Sequence, residues 1–570
     1  MWFIVAAICW NLLLPSNGQH STPIVNIQGL GSVQGSIGHT TWTNRTIYQF
    51  KGIPYAQAPI GNLRFQPPVK RPGWTGTLDV SQPSVHCPQI TDEYTNVENE
   101  DCLTLSVYSN NLDEVRPVMV YIHGGWFFIG GANDYQPNYL LESDIVLVVI
   151  QYRLGPLGFL SLLNERIPGN AGILDTIMAL EWVQQYIGHF GGNANQVTVF
   201  GESAGSAAVS ALLHSPLVQN RPVPLFQRAI LQSGSVFAPW AMCDATVQGS
   251  MDIARRTGCT DEATVEQCLQ QAPLINLLQA FENHRTETIK SNGYPSVAGT
   301  CLVVGGPSGL FPQHPKHYLG SATKNVAVMA GTTSQDGMFL LDEIAKLQPE
   351  SLHTAKTSYG VMQFIRMLQE KFGQTKLDGT LEGYQIMGTF LKSEIDQAQW
   401  KNVVPGLIDI CGSHGIKGPV LTDVHAISAV NPENVYLYSF DFDSERPKSD
   451  QSFPFPHKGA VDHAEDLFYL FPLTTLNDRE TKMAKTMVRL WSSFATAGIP
   501  SARDVPYWPP ADRLYGPYLK INEVFEQRNY YLNEFSATSD KYRTYGRGCS
   551  QCGISVMTII LLVVISMVLS

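Results

Sequence analysis

The stretch Val197-Thr-Val-Phe-Gly-Glu-Ser-Ala-Gly205 constrains this chain more than any other. A short apolar, β-branched run breaks into Gly-x-Ser-x-Gly, and small helix-compatible residues follow. A strand that ends in so sharp a turn needs glycine two positions before and after the serine. The turn lifts the hydroxyl above the sheet edge, beside a helix N-terminus. Ser203 is therefore the candidate nucleophile. The five-residue pattern also occurs in ordinary loops, so its meaning depends on its flanks.

Those flanks read as strands alternating with helices, an α/β arrangement. Pro117–Ile122 and Ile145–Tyr152 are continuous apolar runs ending in polar or glycine residues. That is the pattern of strands buried on both faces, and so of parallel pairing. Ile173–Tyr186 carries apolar residues at helical spacing, Gly191-Gly192-Asn193 closes it, and Gln196–Phe200 begins the strand that delivers Ser203. Thr481–Ala497 predicts a late helix. Between about 250 and 320, and between about 340 and 430, the strand signal fades, as expected of insertions that roof a site. No Gly/Ser-rich, Pro-rich or charged linker divides the interior, so the 570 residues predict one large domain over 19–545.

Both ends read as processing signals. Met1–Leu14 is almost wholly apolar and leads to Ser16-Asn17-Gly18, so residues 1–18 predict a signal peptide and an extracellular protein. Ile554–Leu569 is an uncharged run of 16 residues, roughly 24 Å as a helix against a hydrocarbon core of about 30 Å. Small residues Gly546, Gly548, Cys549 and Ser550 precede it. Residues 546–570 therefore fit a removable glycolipid-anchor signal, and hence attachment to a membrane, better than a transmembrane helix.

Cysteine usage agrees with export. Of ten cysteines, Cys9 lies in the leader and Cys549 and Cys552 beside the tail, leaving seven in the body. Cys87 with Cys102, and Cys259 with Cys268, would each close a short loop, whereas Cys243, Cys301 and Cys411 have no evident partner and read as buried thiols. Asn44-Arg45-Thr46 is a glycosylation sequon on an exported chain. The net charge of -11, with scattered lysines and arginines, gives no footprint for nucleic acid. Outside the tail pair Cys549 and Cys552 no spacing suits a metal, and no cofactor is expected. The oligomeric state is not legible.

Several strings, in order, carry a closer likeness: Phe50-Lys-Gly-Ile-Pro-Tyr-Ala56, Glu100-Asp-Cys-Leu-Thr-Leu-Ser-Val-Tyr108, His123-Gly-Gly125, Tyr152-Arg-Leu-Gly-Pro-Leu-Gly-Phe159, Gly169-Asn-Ala-Gly-Ile-Leu-Asp175, Gly201-Glu-Ser-Ala-Gly205 and Gln232-Ser-Gly-Ser235. Over roughly residues 25–535 the chain resembles type-B carboxylesterases of the cholinesterase family. The resemblance implies the α/β-hydrolase fold: a large, mostly parallel twisted sheet flanked by helices, with helical insertions over an active-site gorge. It implies a serine esterase acting through an acyl-enzyme.

The resemblance also implies partners for Ser203. Asp336, after the apolar run Val326-Ala-Val-Met-Ala330, stands where the family carries its acid, often as glutamate; Asp-Gly is also a common turn dipeptide. His463 in Gly459-Ala-Val-Asp-His463 stands where the family carries its base, though the chain has fourteen histidines, His457 among them. Ser203, Asp336, His463 is the order the fold imposes. The backbone N–H groups of Gly125, Trp126 and Ala204 are the implied oxyanion donors. Trp126 departs from the family, which has glycine or alanine there. An amide survives any side chain, but an indole pointing inward would shrink the pocket. Glu202, Ser233 and Trp240 match supporting positions: a charge beside His463, a member of its hydrogen-bond network, and an acyl-pocket wall. Arg64 with Glu100, and Arg153 with Asp175, match structural ion pairs, and Asp462, Glu465 and Asp466 read as scaffold.

Substrate preference follows from an absence in the sequence. Cholinesterases hold a quaternary ammonium over a tryptophan between their first disulfide cysteines, and none lies between Cys87 and Cys102. The expectation is a general carboxylesterase acting on neutral or apolar small-molecule esters. The alternatives are a cholinesterase and an esterase-like surface recognition protein with weak catalysis.

Overall fold

The computed structural model describes residues 22–90, 95–96, 99–243, 246–292, 298–319, 325–341, 408–409, 411–444, 461–512 and 516–536. The leader, the tail and His457 lie outside the described residues. Among the described residues the main sheet has eleven strands, numbered along the chain as β1 (Ser36–His39), β2 (Thr46–Pro54), β3 (Thr104–Ser109), β4 (Arg116–Ile122), β5 (Val146–Ile150), β6 (Gly192–Glu202), β7 (Arg228–Gln232), β8 (Ala327–Thr333), β9 (Val435–Phe440), β10 (Tyr518–Ile521) and β11 (Glu526–Arg528). Across the sheet they run β11-β10-β9-β8-β7-β6-β4-β5-β3-β2-β1. Pairing is parallel from β5 through β4, β6, β7, β8 and β9 to β10, and antiparallel at both margins.

Both faces of this sheet are covered, which is why its central strands read as unbroken apolar runs. Along β4, Val118, Val120 and Ile122 join one core cluster while Met119 and Tyr121 join another. The helices that cover it are α1 (Ala171–Tyr186) and α2 (Ala204–His214). The insertion α3 (Thr246–Thr257), α4 (Val265–Gln271) and α5 (Leu274–Asn292) follows, then α6 (Gly418–Ser428) and α7 (Asp478–Ala497). Helices α1, α2 and α6 supply apolar residues to the first cluster and α7 to the second. The insertion has a small core of its own, with Ile253, Leu269, Leu277 and Phe281. Most of the second predicted insertion lies outside the described residues.

Element limits differ from expectation for local reasons. The fifth strand stops at Ile150 because Gln151 and Tyr152 leave to hold loops: Gln151 Oε1 accepts from Ala132 N (3.1 Å) and Tyr152 donates to His123 O (2.8 Å). Helix α7 begins at Asp478, three residues before the predicted start. Asn477 and Glu480 form a capping box there, each side chain accepting the other's backbone N–H at 2.9 Å. Both expected ion pairs form and are buried: Arg64 Nε donates to Glu100 Oε2 (2.9 Å) and Arg153 Nη2 to Asp175 Oδ1 (2.6 Å).

Cys87–Cys102 and Cys259–Cys268 are disulfides, and Cys411 is a buried free thiol. The reading of Cys243 and Cys301 as thiols is corrected, because they form a third disulfide. A bridge between Met242 and Leu302 brings them together, with Cys243 N donating to Leu302 O (3.0 Å) and Leu302 N to Ala241 O (2.8 Å). Asn44 is exposed on the turn between β1 and β2. Among the described residues no helix is long and apolar enough to cross a membrane.

Candidate active site

Strand β6 ends at Glu202, and Ser203 turns the chain into α2 with φ 56° and ψ -123°. The two flanking glycines are there for contact. A Cβ on Gly201 would lie 2.5 Å from Gly205 C, and one on Gly205 would lie 2.0 Å from Ile122 O. Strand β4 and the elbow touch backbone to backbone, and Ser203 alone carries the left-handed strain.

Two further strand ends meet the elbow. Beyond β8, Asp336 is fully buried, and its Oδ2 accepts from Ser233 Oγ (2.6 Å) and Thr333 N (3.0 Å). Its Oδ1 lies 2.6 Å from His463 Nδ1. These contacts fix the carboxylate and, through it, the imidazole tautomer. The loop carrying His463 is framed by its acidic neighbours. Asp462 Oδ1 accepts from His463 N (2.7 Å) and Phe339 N (3.2 Å), and Glu465 Oε1 accepts from Asp462 N (3.0 Å). Asp466 Oδ2 accepts from Gln232 Nε2 (2.8 Å) and Tyr438 (3.0 Å). These three carboxylates are scaffold here, and Ser233 and Asp336 share one hydrogen bond.

The other imidazole nitrogen faces Glu202. His463 Nε2 lies 3.0 Å from Glu202 Oε1, and no hydrogen bond joins it to Ser203 Oγ. Burial pushes the His463 pKa down, but Glu202, Asp336 and Asp462 outweigh it and hold it well above the ordinary imidazole value. Burial raises Glu202 too, partly offset by His463 and reinforced by Asp466 and Asp336. The carboxylate and the imidazole thus compete for protons in a pocket of low polarity.

The loop after β4 closes the site. A Cβ on Gly124 would come within 3.1 Å of Ser203 Cβ, so this loop lies directly against Ser203. Three consecutive residues follow in the left-handed region: Gly125 (φ 103°), Trp126 (φ 54°) and Phe127 (φ 61°). Among the described residues no acceptor takes the N–H of Gly125, Trp126 or Ala204. Trp126 is half-buried and points inward: its ring lies 5.6 Å from Trp240 and 5.5 Å from Phe339. Phe339 in turn stacks on His463, centroids 3.9 Å apart and planes 15° from parallel. Trp240 is held by donating Nε1 to Gly415 O (2.9 Å) in the π-helical turn Ser413–Lys417. Sequence reasoning assigned Phe339 no role; its only signal was an aromatic three residues after Asp336. Among the described residues no cluster of His, Cys, Asp and Glu suits a metal.

Comparison with known proteins gives one consistent set of relatives. The model of the carboxylesterase family matches residues 21–538. Glutactin of Drosophila melanogaster is 30% identical over 529 residues, 88% of this chain and 50% of that protein. This chain therefore spans about half of glutactin's length. Juvenile hormone esterase of Tribolium castaneum is 31% identical over 506 residues, 84% of each chain. Human cocaine esterase is 30% identical over 542 residues, 90% of each.

Proposed function

The chain belongs to the carboxylesterase family, and on that premise we propose that it hydrolyses carboxylic esters with Ser203 as nucleophile, His463 as general base and Asp336 as the residue that orients it. The observation that carries this reading is the Asp336 Oδ1 to His463 Nδ1 contact of 2.6 Å beside a serine elbow. Ser203 Oγ attacks the ester carbonyl as His463 takes its proton. The N–H groups of Gly125, Trp126 and Ala204 receive the oxyanion, and His463 protonates the leaving alcohol. Water then repeats the steps on the acyl-enzyme. Productive attack requires the imidazole to exchange its Glu202 contact for Ser203 Oγ, a tightening common when substrate enters. The lack of a tryptophan between Cys87 and Cys102, where cholinesterases hold the quaternary ammonium, supports neutral esters over choline esters.

One observation favours a second reading, an esterase-like recognition protein: the Ser203–His463 hydrogen bond is not made in the resting site. A single experiment separates the two. Wild-type protein should hydrolyse p-nitrophenyl acetate and be labelled by a fluorophosphonate, and Ser203→Ala should lose both, with turnover down at least about 10³-fold. Wild-type protein that neither turns over nor takes label would leave the recognition reading standing. For location we propose an exported protein, cleaved after the leader, glycosylated at Asn44 and held at the cell surface by a lipid.

A further inference from the structure

Trp126 combines two observations that the family pattern does not explain. Its backbone sits at φ 54°, a region costly for a bulky side chain, where glycine would rest without strain. Its indole packs against Trp240 and against Phe339, the ring that stacks on His463, on the loop whose Gly124 lies against Ser203. A strained backbone that carries a large inward ring marks a residue kept for what the ring does.

The geometry of acyl transfer assigns the direction in which that ring acts. With the oxyanion on the N–H groups of Gly125, Trp126 and Ala204, the leaving oxygen must lie toward His463 Nε2 to be protonated. The acyl substituent takes the remaining direction, away from His463, the side on which the match to the family puts Trp240 as an acyl-pocket wall. Trp240 is 2% exposed and pinned by its hydrogen bond to Gly415 O, so that wall cannot retreat without breaking a buried hydrogen bond. Trp126 meets it edge-on with planes 71° apart, closing the gap between wall and oxyanion loop. Packed aromatic faces of this kind do not open for an added methylene without losing contacts.

Building on the esterase reading above, we propose that Trp126 is a specificity-determining residue: its indole closes the acyl side of the Ser203 site, so the enzyme takes esters of two- or three-carbon acids and discriminates against longer chains. The residue acts on the acyl half of the substrate and leaves the alcohol half to the Phe339 side.

The test uses the full chain and two ester series, p-nitrophenyl acetate to octanoate and acetates of alcohols of increasing length. In wild type, kcat/KM should fall by about tenfold or more from acetate to butyrate, the scale on which a rigid apolar pocket senses a methylene. Trp126→Gly should flatten that acyl-length profile by at least about tenfold, with Trp126→Phe intermediate, and leave the alcohol-length profile as it was. Labelling of wild type by fluorophosphonates of increasing alkyl length needs no variant. The rate at which Ser203 Oγ displaces fluoride should fall with chain length. A wild-type acyl profile that is flat to octanoate, labelling insensitive to chain length, or a Trp126→Gly change confined to the alcohol series would each overturn the inference while leaving the hydrolase reading intact. Absence of turnover and of labelling in wild type would instead overturn both.

Discussion

His463 is gripped at both ring nitrogens by carboxylates, Asp336 at 2.6 Å and Glu202 at 3.0 Å, and Phe339 covers its face. The ring is well placed to hold positive charge and poorly placed to give it up. As the proposed general base it works only when neutral, so a raised pKa keeps it protonated to higher pH and activity is lost as pH falls through that value. The rising limb of kcat/KM against pH is therefore expected above the ordinary imidazole range. Glu202→Gln removes the charge that raises His463 most and should move the midpoint of that limb to lower pH, by about one unit. A profile measured on p-nitrophenyl acetate in both proteins checks this. An unmoved midpoint would mean that Glu202 does not set the protonation of the base.

At the scale of elements, the site is an arrangement of strand ends held by helices packed beneath. Helix α7 illustrates the dependence: Trp491 donates Nε1 to Gln232 Oε1 (3.1 Å), and Gln232 in turn donates to Asp466 beside His463. Its first turn rests on the capping box of Asn477 and Glu480. Asn477→Ala should cost about 1 kcal/mol of stability, read as a lower guanidinium midpoint at unchanged slope. No change in midpoint would show that the first turn does not contribute to global stability. The Asn-x-x-Glu signal of that cap stands in the sequence, yet the apolar period alone places the helix start three residues late. The central strands were legible because burial on both faces writes itself as an unbroken apolar run, and the elbow because backbone contact admits only glycine. The Cys243–Cys301 bond was not, since the β-bridge between Met242 and Leu302 that aligns it joins residues far apart in sequence. For the same reason Trp126 was legible as a departure, but the direction of its ring was not. That depends on Trp240 and Phe339, which enter from the segments that follow two other strands, β7 and β8.

For the molecule as a whole, the three disulfides among the described residues point to the compartment in which it folds. The Cys243–Cys301 bond spans 58 residues and encloses the α3–α5 insertion, a loop whose closure removes about 4 kcal/mol of unfolded-state freedom. Such a bond persists only where thiols are oxidised, which agrees with an exported chain. The proposed lipid attachment rests on Ile554–Leu569, a run of 16 uncharged residues too short to cross the bilayer core as a helix. A glycolipid in place of that tail would leave the folded body outside the cell, with all of its contact to the membrane passing through the lipid. Cells expressing the full chain should therefore release esterase activity into the medium when treated with phosphatidylinositol-specific phospholipase C. The released protein should partition from detergent into the aqueous phase. Activity that stays with the membrane after complete digestion of a control glycolipid-anchored protein would point to a spanning helix, tilted or compressing the bilayer to meet its short length.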